Sequence, residues 1–178
     1  ALLTIGGVSF LSQIREVLSG VTAEVVISAR EEGLYPGIGP RVIADRFRDC
    51  GPLAGIHAAL SSIPTTRALV VSCDLPLVPA EACRRLLAAD VAGYVVIARS
   101  DSRLQPLLGL YDKKIVPGLE RCLREGRYSV LDFLNEVDVT VVDFGAAPWL
   151  LNVNTPKDYA LIRARDGDYF TTAPSPLS

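Results

Sequence analysis

The sequence contains no methionine, one histidine and one tryptophan, and only 7% of its 178 residues are aromatic. A single histidine excludes two-histidine metal sites, and any Ser-His-Asp or Cys-His mechanism would have to run through His57 alone. His57 lies inside an apolar helical stretch with no cysteine nearby, which reads as a structural histidine rather than a catalytic one. The four cysteines (Cys50, Cys73, Cys83 and Cys122) are widely spaced and form no C-x-x-C pair. That argues against a zinc knot or a disulfide framework and suits buried free thiols in a reducing cytoplasm. No apolar run approaches the roughly 20 residues of a membrane span. Neither sign of charge dominates: 18 basic residues face 20 acidic ones, a formal net charge of −2. The basic surplus that phosphate contacts to nucleic acid require is therefore missing. The G-x-x-x-x-G-K-[ST] phosphate loop is also absent. An opening at Ala1 with no methionine implies that translation starts upstream of the residues shown, and no signal peptide is visible in them.

Hydrophobic residues at 49% and charged ones at 21% are ordinary for a packed core, and the length suits one domain. Val- and Ile-rich runs at residues 24–27, 41–44, 68–72, 93–98, 107–111 and 137–144 read as strands. The middle runs are nearly continuous apolar blocks, as in parallel strands covered on both faces. Helical spacing separates them: Phe10, Ile14, Val17 and Leu18; Leu53, Ile56, Ala59, Leu60 and Ile63; then Cys83, Leu86 and Leu87. Pro79 suits a helix start over 79–89, and Thr155-Pro156-Lys157-Asp158 reads as a helix N-cap with an early acid. In the second half, helical patterns at 113–125 and 129–135 precede the last strand. The expected fold is a three-layer, doubly wound α/β sheet, mostly parallel, with helices on both faces and some antiparallel pairing in the second half. One domain spans 1–165, and 166–178 reads as a mobile Pro/Ser/Thr tail.

Such sheets bind ligands at the carboxyl ends of their strands, so strand-end residues are the candidates. Asp74 ends the run Ala68-Leu69-Val70-Val71-Ser72-Cys73-Asp74 just before Leu75-Pro76. It either presents a hard oxygen to Mg²⁺ or caps the following turn. Asp45 ends the 41–44 run and either meets the same ligand or is simply solvated. Asp49-Cys50-Gly51-Pro52-Leu53-Ala54-Gly55 places two glycines at an apolar helix start. There the backbone can approach a base or phosphate, or Gly55 merely permits close helix–sheet packing. Asn152 and Asn154 alternate onto one side of an extended segment ahead of a helix, a polar surface suited to a heteroaromatic ring or phosphates. Arg103-Leu104-Gln105-Pro106 reads as a polar loop beside a strand, and Lys113-Lys114 as a solvated helix start.

In this order, Gly51-Pro52-Leu53-Ala54-Gly55, Cys73-Asp74-Leu75-Pro76, Gln105-Pro106-Leu107 through Tyr111, and Asn152-Val153-Asn154-Thr155-Pro156 resemble the molybdenum cofactor guanylyltransferase family, Rossmann-like nucleotidyltransferases of the glycosyltransferase-A-like fold. Gly126-Arg127-Tyr128-Ser129-Val130 adds to the likeness, which covers about residues 1–164. The resemblance implies Mg²⁺-dependent transfer of GMP from GTP to molybdopterin or its molybdenum-loaded form, with release of pyrophosphate. It implies Mg²⁺ at Asp74, and a GTP site lined by Ser28, Asp45, Gly51, Pro52, Leu53, Gly55 and Asp74. Gln105, Asn152 and Asn154 would face the acceptor, and molybdoenzymes or cofactor-delivery proteins would be partners, with no nucleic acid and no membrane. In relatives the position of Ser28 is often an Asn. The family carries a Gly-rich L-A-G-G-x-S-x-R-M-G-x-D-K loop and a first central strand ahead of the part that Ala1-Leu2-Leu3-Thr4-Ile5-Gly6-Gly7 resembles. Neither is found here, which implies a chain impaired in catalysis. The competing readings are a sister nucleotidyltransferase using CTP, ATP or a sugar-phosphate acceptor, and a non-catalytic nucleotide-binding module.

Overall fold

The structure, a computed structural model, describes residues 3–90 and 93–169. Ala1-Leu2 and the Pro/Ser/Thr stretch at 171–178 lie outside the described residues, so the expected mobile tail is not addressed there. In chain order the elements are β1 (Thr4–Ile5), β2 (Val8–Ser9), α1 (Phe10–Ser19), β3 (Val26–Ala29) and β4 (Arg41–Ala44). Then follow α2 (Gly51–Ser62), β5 (Arg67–Val71), α3 (Ala80–Leu87), β6 (Val95–Ser100) and β7 (Arg103–Asp112). A short 3₁₀ turn (Lys113–Ile115) leads to α4 (Val116–Arg124), α5 (Val130–Leu134), β8 (Val139–Asp143) and α6 (Pro156–Tyr169).

The main sheet has the order β5-β7-β6-β8. β7 is antiparallel to both neighbours, while β6 and β8 are parallel, which is the mixed pairing expected of the second half. β3 and β4 form a separate parallel pair. Among the described residues no strand is hydrogen-bonded between β3 and β5, and α2 packs on both. Helices cover the two faces. Alternation along β6 sends Val95 and Ile97 into a core with α2, α4 and α5, through Leu53, Leu60, Leu119 and Phe133. Val96 and Ala98 point the other way, into a core with α3 and α1 through Cys83, Leu86, Val17 and Leu18. Burial in that second core pushes the Cys83 thiol up to about 11, so it stays protonated.

Three sequence expectations change. Cys73 is exposed, unlike the buried Cys50, Cys83 and Cys122, because it sits beyond the end of β5, where the sheet no longer covers it. Arg103–Gln105 is not a loop but the start of the ten-residue β7, paired across a two-residue turn, with Ser100 opposite Arg103. The register shifts between Ile97 and Ala98, which lets Pro106 sit at the irregularity, where its missing N–H breaks no regular ladder. Lys113 is likewise engaged: its Nζ donates to the Ile63 carbonyl at 2.8 Å.

Candidate active site

Strand direction decides which side chains share an edge. Arg41 at the start of β4 donates to the carbonyl of Ser62 at the end of α2, 3.0 Å away, so α2 runs back against β4. The Thr66 carbonyl beside the start of β5 accepts from the Lys113 N–H at the far end of β7, at 2.7 Å. β5 therefore returns to the edge where β4 ends. Its antiparallel partner β7 begins past that edge, since Val71 pairs with Leu108 and leaves residues 103–107 beyond it. β6 and β8 end there too. Ser28, Asp45, Asp74, Gln105 and the segment leading to Asn152 are thus gathered on one rim.

At the first-half end of the rim, the Ser28 hydroxyl donates to Asp45 Oδ1 at 2.5 Å, across the parallel β3–β4 pair. One turn into α2, a Cβ on Gly55 would stand 2.9 Å from Ser28 Oγ and 4.0 Å from Asp45 Oδ1. Only glycine lets the helix approach this pair. Gly51 adopts φ +65°, with open space where a side chain would be, so the turn into α2 leaves its backbone uncovered. The helix N-cap, Cys50, makes no side-chain cap hydrogen bond. Leu53 is buried in the core below, and Pro52 occupies the first helical turn. Between Asp45 and Asp49, Phe47 packs edge-to-face on His57, with ring centroids 5.2 Å apart, and the flanking Arg46 and Arg48 are exposed. Neither arginine forms an ion pair among the described residues. Arg15, Arg85 and Arg103 form none either, whereas Arg30, Arg41, Arg67, Arg84, Arg99, Arg121, Arg124 and Arg127 do.

At the second-half end, the Val153 N–H donates to the Asp74 carbonyl at 2.9 Å, and Asn152 Nδ2 reaches Asp74 Oδ2 at 3.5 Å. Asp74 Oδ1 is withdrawn from solvent and has no hydrogen-bond partner. Among the described residues no Lys or Arg forms an ion pair with Asp74. A carboxylate oxygen out of water without a donor is costly, and a hard divalent cation fits it. The two amides are not equivalent. Asn152 is brought to Asp74, whereas Asn154 is exposed at the entrance to α6. There Asp158 Oδ2 accepts from the backbone N–H groups of Asn154 and Thr155, at 3.2 and 2.8 Å, and Thr155 Oγ1 accepts from the Asp158 N–H. This reciprocal cap, the one read from Thr155-Pro156-Lys157-Asp158, holds the Asp158 carboxyl below its usual range through its hydrogen bonds to Thr155. Gln105 is half-buried on the part of β7 that runs beyond β5, opposite Ala98.

Sequence reading singles out Asp45, Asp74 and the glycines from their strand-end and helix-start positions. It misses that Asn152 and Asp74, 78 residues apart, are in contact, and that Arg46 and Arg48 are exposed beside Asp45 with no ion pair within 4.0 Å among the described residues. The alternation Arg46-Phe47-Arg48 was the available signal for the second; the first had no local signal.

A mixed α/β sheet thus carries two carboxylates and an open glycine turn along one rim. The chain belongs to the MobA-like NTP transferase family, whose sequence profile matches residues 1–139. It is similar to a probable molybdenum cofactor guanylyltransferase of Pelotomaculum thermopropionicum, 36% identical over 93% of this chain and 83% of the relative. The molybdenum cofactor guanylyltransferase of Vibrio cholerae is 32% identical over 89% of this chain and 80% of its own. The fold is shared with molybdopterin-guanine dinucleotide biosynthesis protein A from Archaeoglobus fulgidus, at a TM-score of 0.77 and 23% identity, covering 92% of this chain and 88% of that one.

Proposed function

We propose that the protein transfers GMP from GTP to the terminal phosphate of molybdopterin or its molybdenum-loaded form. An acceptor phosphate oxygen attacks the α-phosphorus of GTP, the bond to the β-phosphate oxygen breaks, and pyrophosphate leaves with that electron pair. The acceptor phosphate is already an anion at neutral pH, so no side chain needs to remove a proton. This agrees with a chain whose one histidine is buried in a helix rather than placed on the rim. Alignment and charge neutralisation carry the rate.

The observation that supports this reading best is the orphaned Oδ1 of Asp74 on the same rim as the Ser28–Asp45–Gly55 cluster. Asp74 is the residue that would hold Mg²⁺, and the ion would offset charge on the triphosphate and departing pyrophosphate. Ser28 and Asp45 take the nucleotide side, with the Gly51-Pro52-Leu53-Ala54-Gly55 turn offering close backbone approach. Gln105 and Asn154 take the acceptor side. Free cysteines suit a cytoplasmic setting, and acceptor molybdoenzymes are the expected recipients of the product. The 178 residues hold no Gly-rich loop of the kind the family resemblance calls for, so turnover by this stretch alone is expected to be slow.

Asp74→Asn, made in a chain that also carries the Gly-rich loop, tests the reading. It should abolish Mg²⁺-dependent pyrophosphate release and leave the denaturation midpoint within experimental scatter of wild type. Near-normal turnover removes Asp74 from the metal role.

A further inference from the structure

We propose that Asn152 is the second protein donor of the cation site at Asp74, not a contact for the acceptor; this rests on the metal reading of Asp74. The fold takes trouble to bring them together. Val153 is buried in a cluster with Ile5, Phe10 and Ile162, and its N–H is bonded to the Asp74 carbonyl. The clamped backbone sets the Asn152 side chain against the Asp74 carboxylate, at 3.5 Å. One amide N–H at that distance is weak compensation for a carboxylate whose other oxygen has no donor at all.

An amide carries an acceptor on its other arm. Turning it about its last torsion, which has a broad and nearly two-fold profile, presents Oδ1 to an ion held by Asp74. The alternatives nearby are poorer. Among the described residues no group of three His, Cys, Asp or Glu side chains is placed to hold a metal. A cation at Asp74 is therefore not held by a cluster of three such groups, and a neutral donor, substrate and water are left to fill its shell. Cys73 is exposed and offers a soft sulfur that a hard ion does not prefer. Asn154 is exposed beside the α6 cap. Pairing one carboxylate with one amide leaves a divalent ion with a net positive charge, and that favours phosphate ligands over a closed all-protein cage.

The test is Mn²⁺ affinity read by electron paramagnetic resonance with neither GTP nor acceptor present, because GTP itself binds Mn²⁺, so that binding to the protein is measured without turnover. Wild type should bind Mn²⁺, Asp74→Asn should lose it, and Asn152→Ala should weaken it about tenfold or more. Asn152→Asp keeps an oxygen donor at the same reach, so it should hold Mn²⁺ at least as tightly as wild type. Wild-type affinity in Asn152→Ala, or lost affinity in Asn152→Asp, with Asp74→Asn abolishing binding, overturns the role of Asn152 alone. Wild-type affinity in Asp74→Asn, or a wild-type protein that leaves Mn²⁺ free, overturns the metal reading together with it.

Discussion

Burial fixes the protonation state of His57. Its ring is 1% exposed and lies edge-to-face on Phe47, and its Nδ1 has no hydrogen-bond partner. Desolvation lowers its pKa from the ordinary 6.5; the Glu120 carboxylate opposes this and Arg46 reinforces it. The unfolded chain therefore takes up a proton near pH 6.5 while the folded protein resists it. Stability is fully present above that pH and declines as pH falls toward the lowered folded value. The urea midpoint of wild type should drop between pH 7.5 and 5.5, and His57→Phe should flatten that drop. An undiminished drop in the variant would place the effect elsewhere. The carboxylates with depressed values, Glu120, Glu136, Asp143 and Asp158, lose their contribution only at lower pH and do not confuse this window. The structural role of His57 was legible in the sequence because it falls in an apolar helical pattern. Its partner Phe47, ten positions earlier, was not, since a polar-flanked aromatic carries no sign of where it packs. The same divide runs through the candidate site. Asp45 and Asp74 announce themselves by ending apolar runs, while the Asn152–Asp74 contact is tertiary and leaves no periodic trace.

Among the elements, the β6–β7 hairpin departs most from local preference. Asp101 and Ser102 both adopt positive φ, 46° and 64°, as the tight two-residue turn between Ser100 and Arg103 demands. Neither is glycine, so the sequence lacks the usual hairpin signature, and Arg103–Gln105 reads as loop. The pairing of β6 with β7, and the two hydrogen bonds that Arg99 Nε and Nη2 donate to Asp143 Oδ2 at the end of β8, override that preference. Replacing Asp101-Ser102 by Asn-Gly should relieve the strain and raise stability by about 1 kcal/mol. Urea denaturation checks this, and an unchanged or lower midpoint would mean that the turn is not strained as described. Helix starts were more readable. Ser9, Ser129 and Thr155 each cap their helix with a side-chain oxygen, because capping chemistry is written in adjacent residues.

At the scale of the whole molecule, the layered α/β plan follows from the order of apolar blocks and helical patterns, with helices on both faces of β6. The division into a β3–β4 pair and a four-stranded sheet does not, because pairing depends on which edges meet rather than on any one segment. α2 packs across both, with Asp45 and Asp74 on one rim, which is the span the proposed function needs. Under the proposed function, this rim joins a guanine nucleotide to a phosphorylated pterin. Pyrophosphate release, measured for GTP, ATP, CTP and UTP with and without molybdopterin in a chain that carries the Gly-rich loop, is the decisive measurement. Release is expected from GTP alone, and only when molybdopterin is present; equal release from CTP or ATP, or release indifferent to the pterin, would overturn that function.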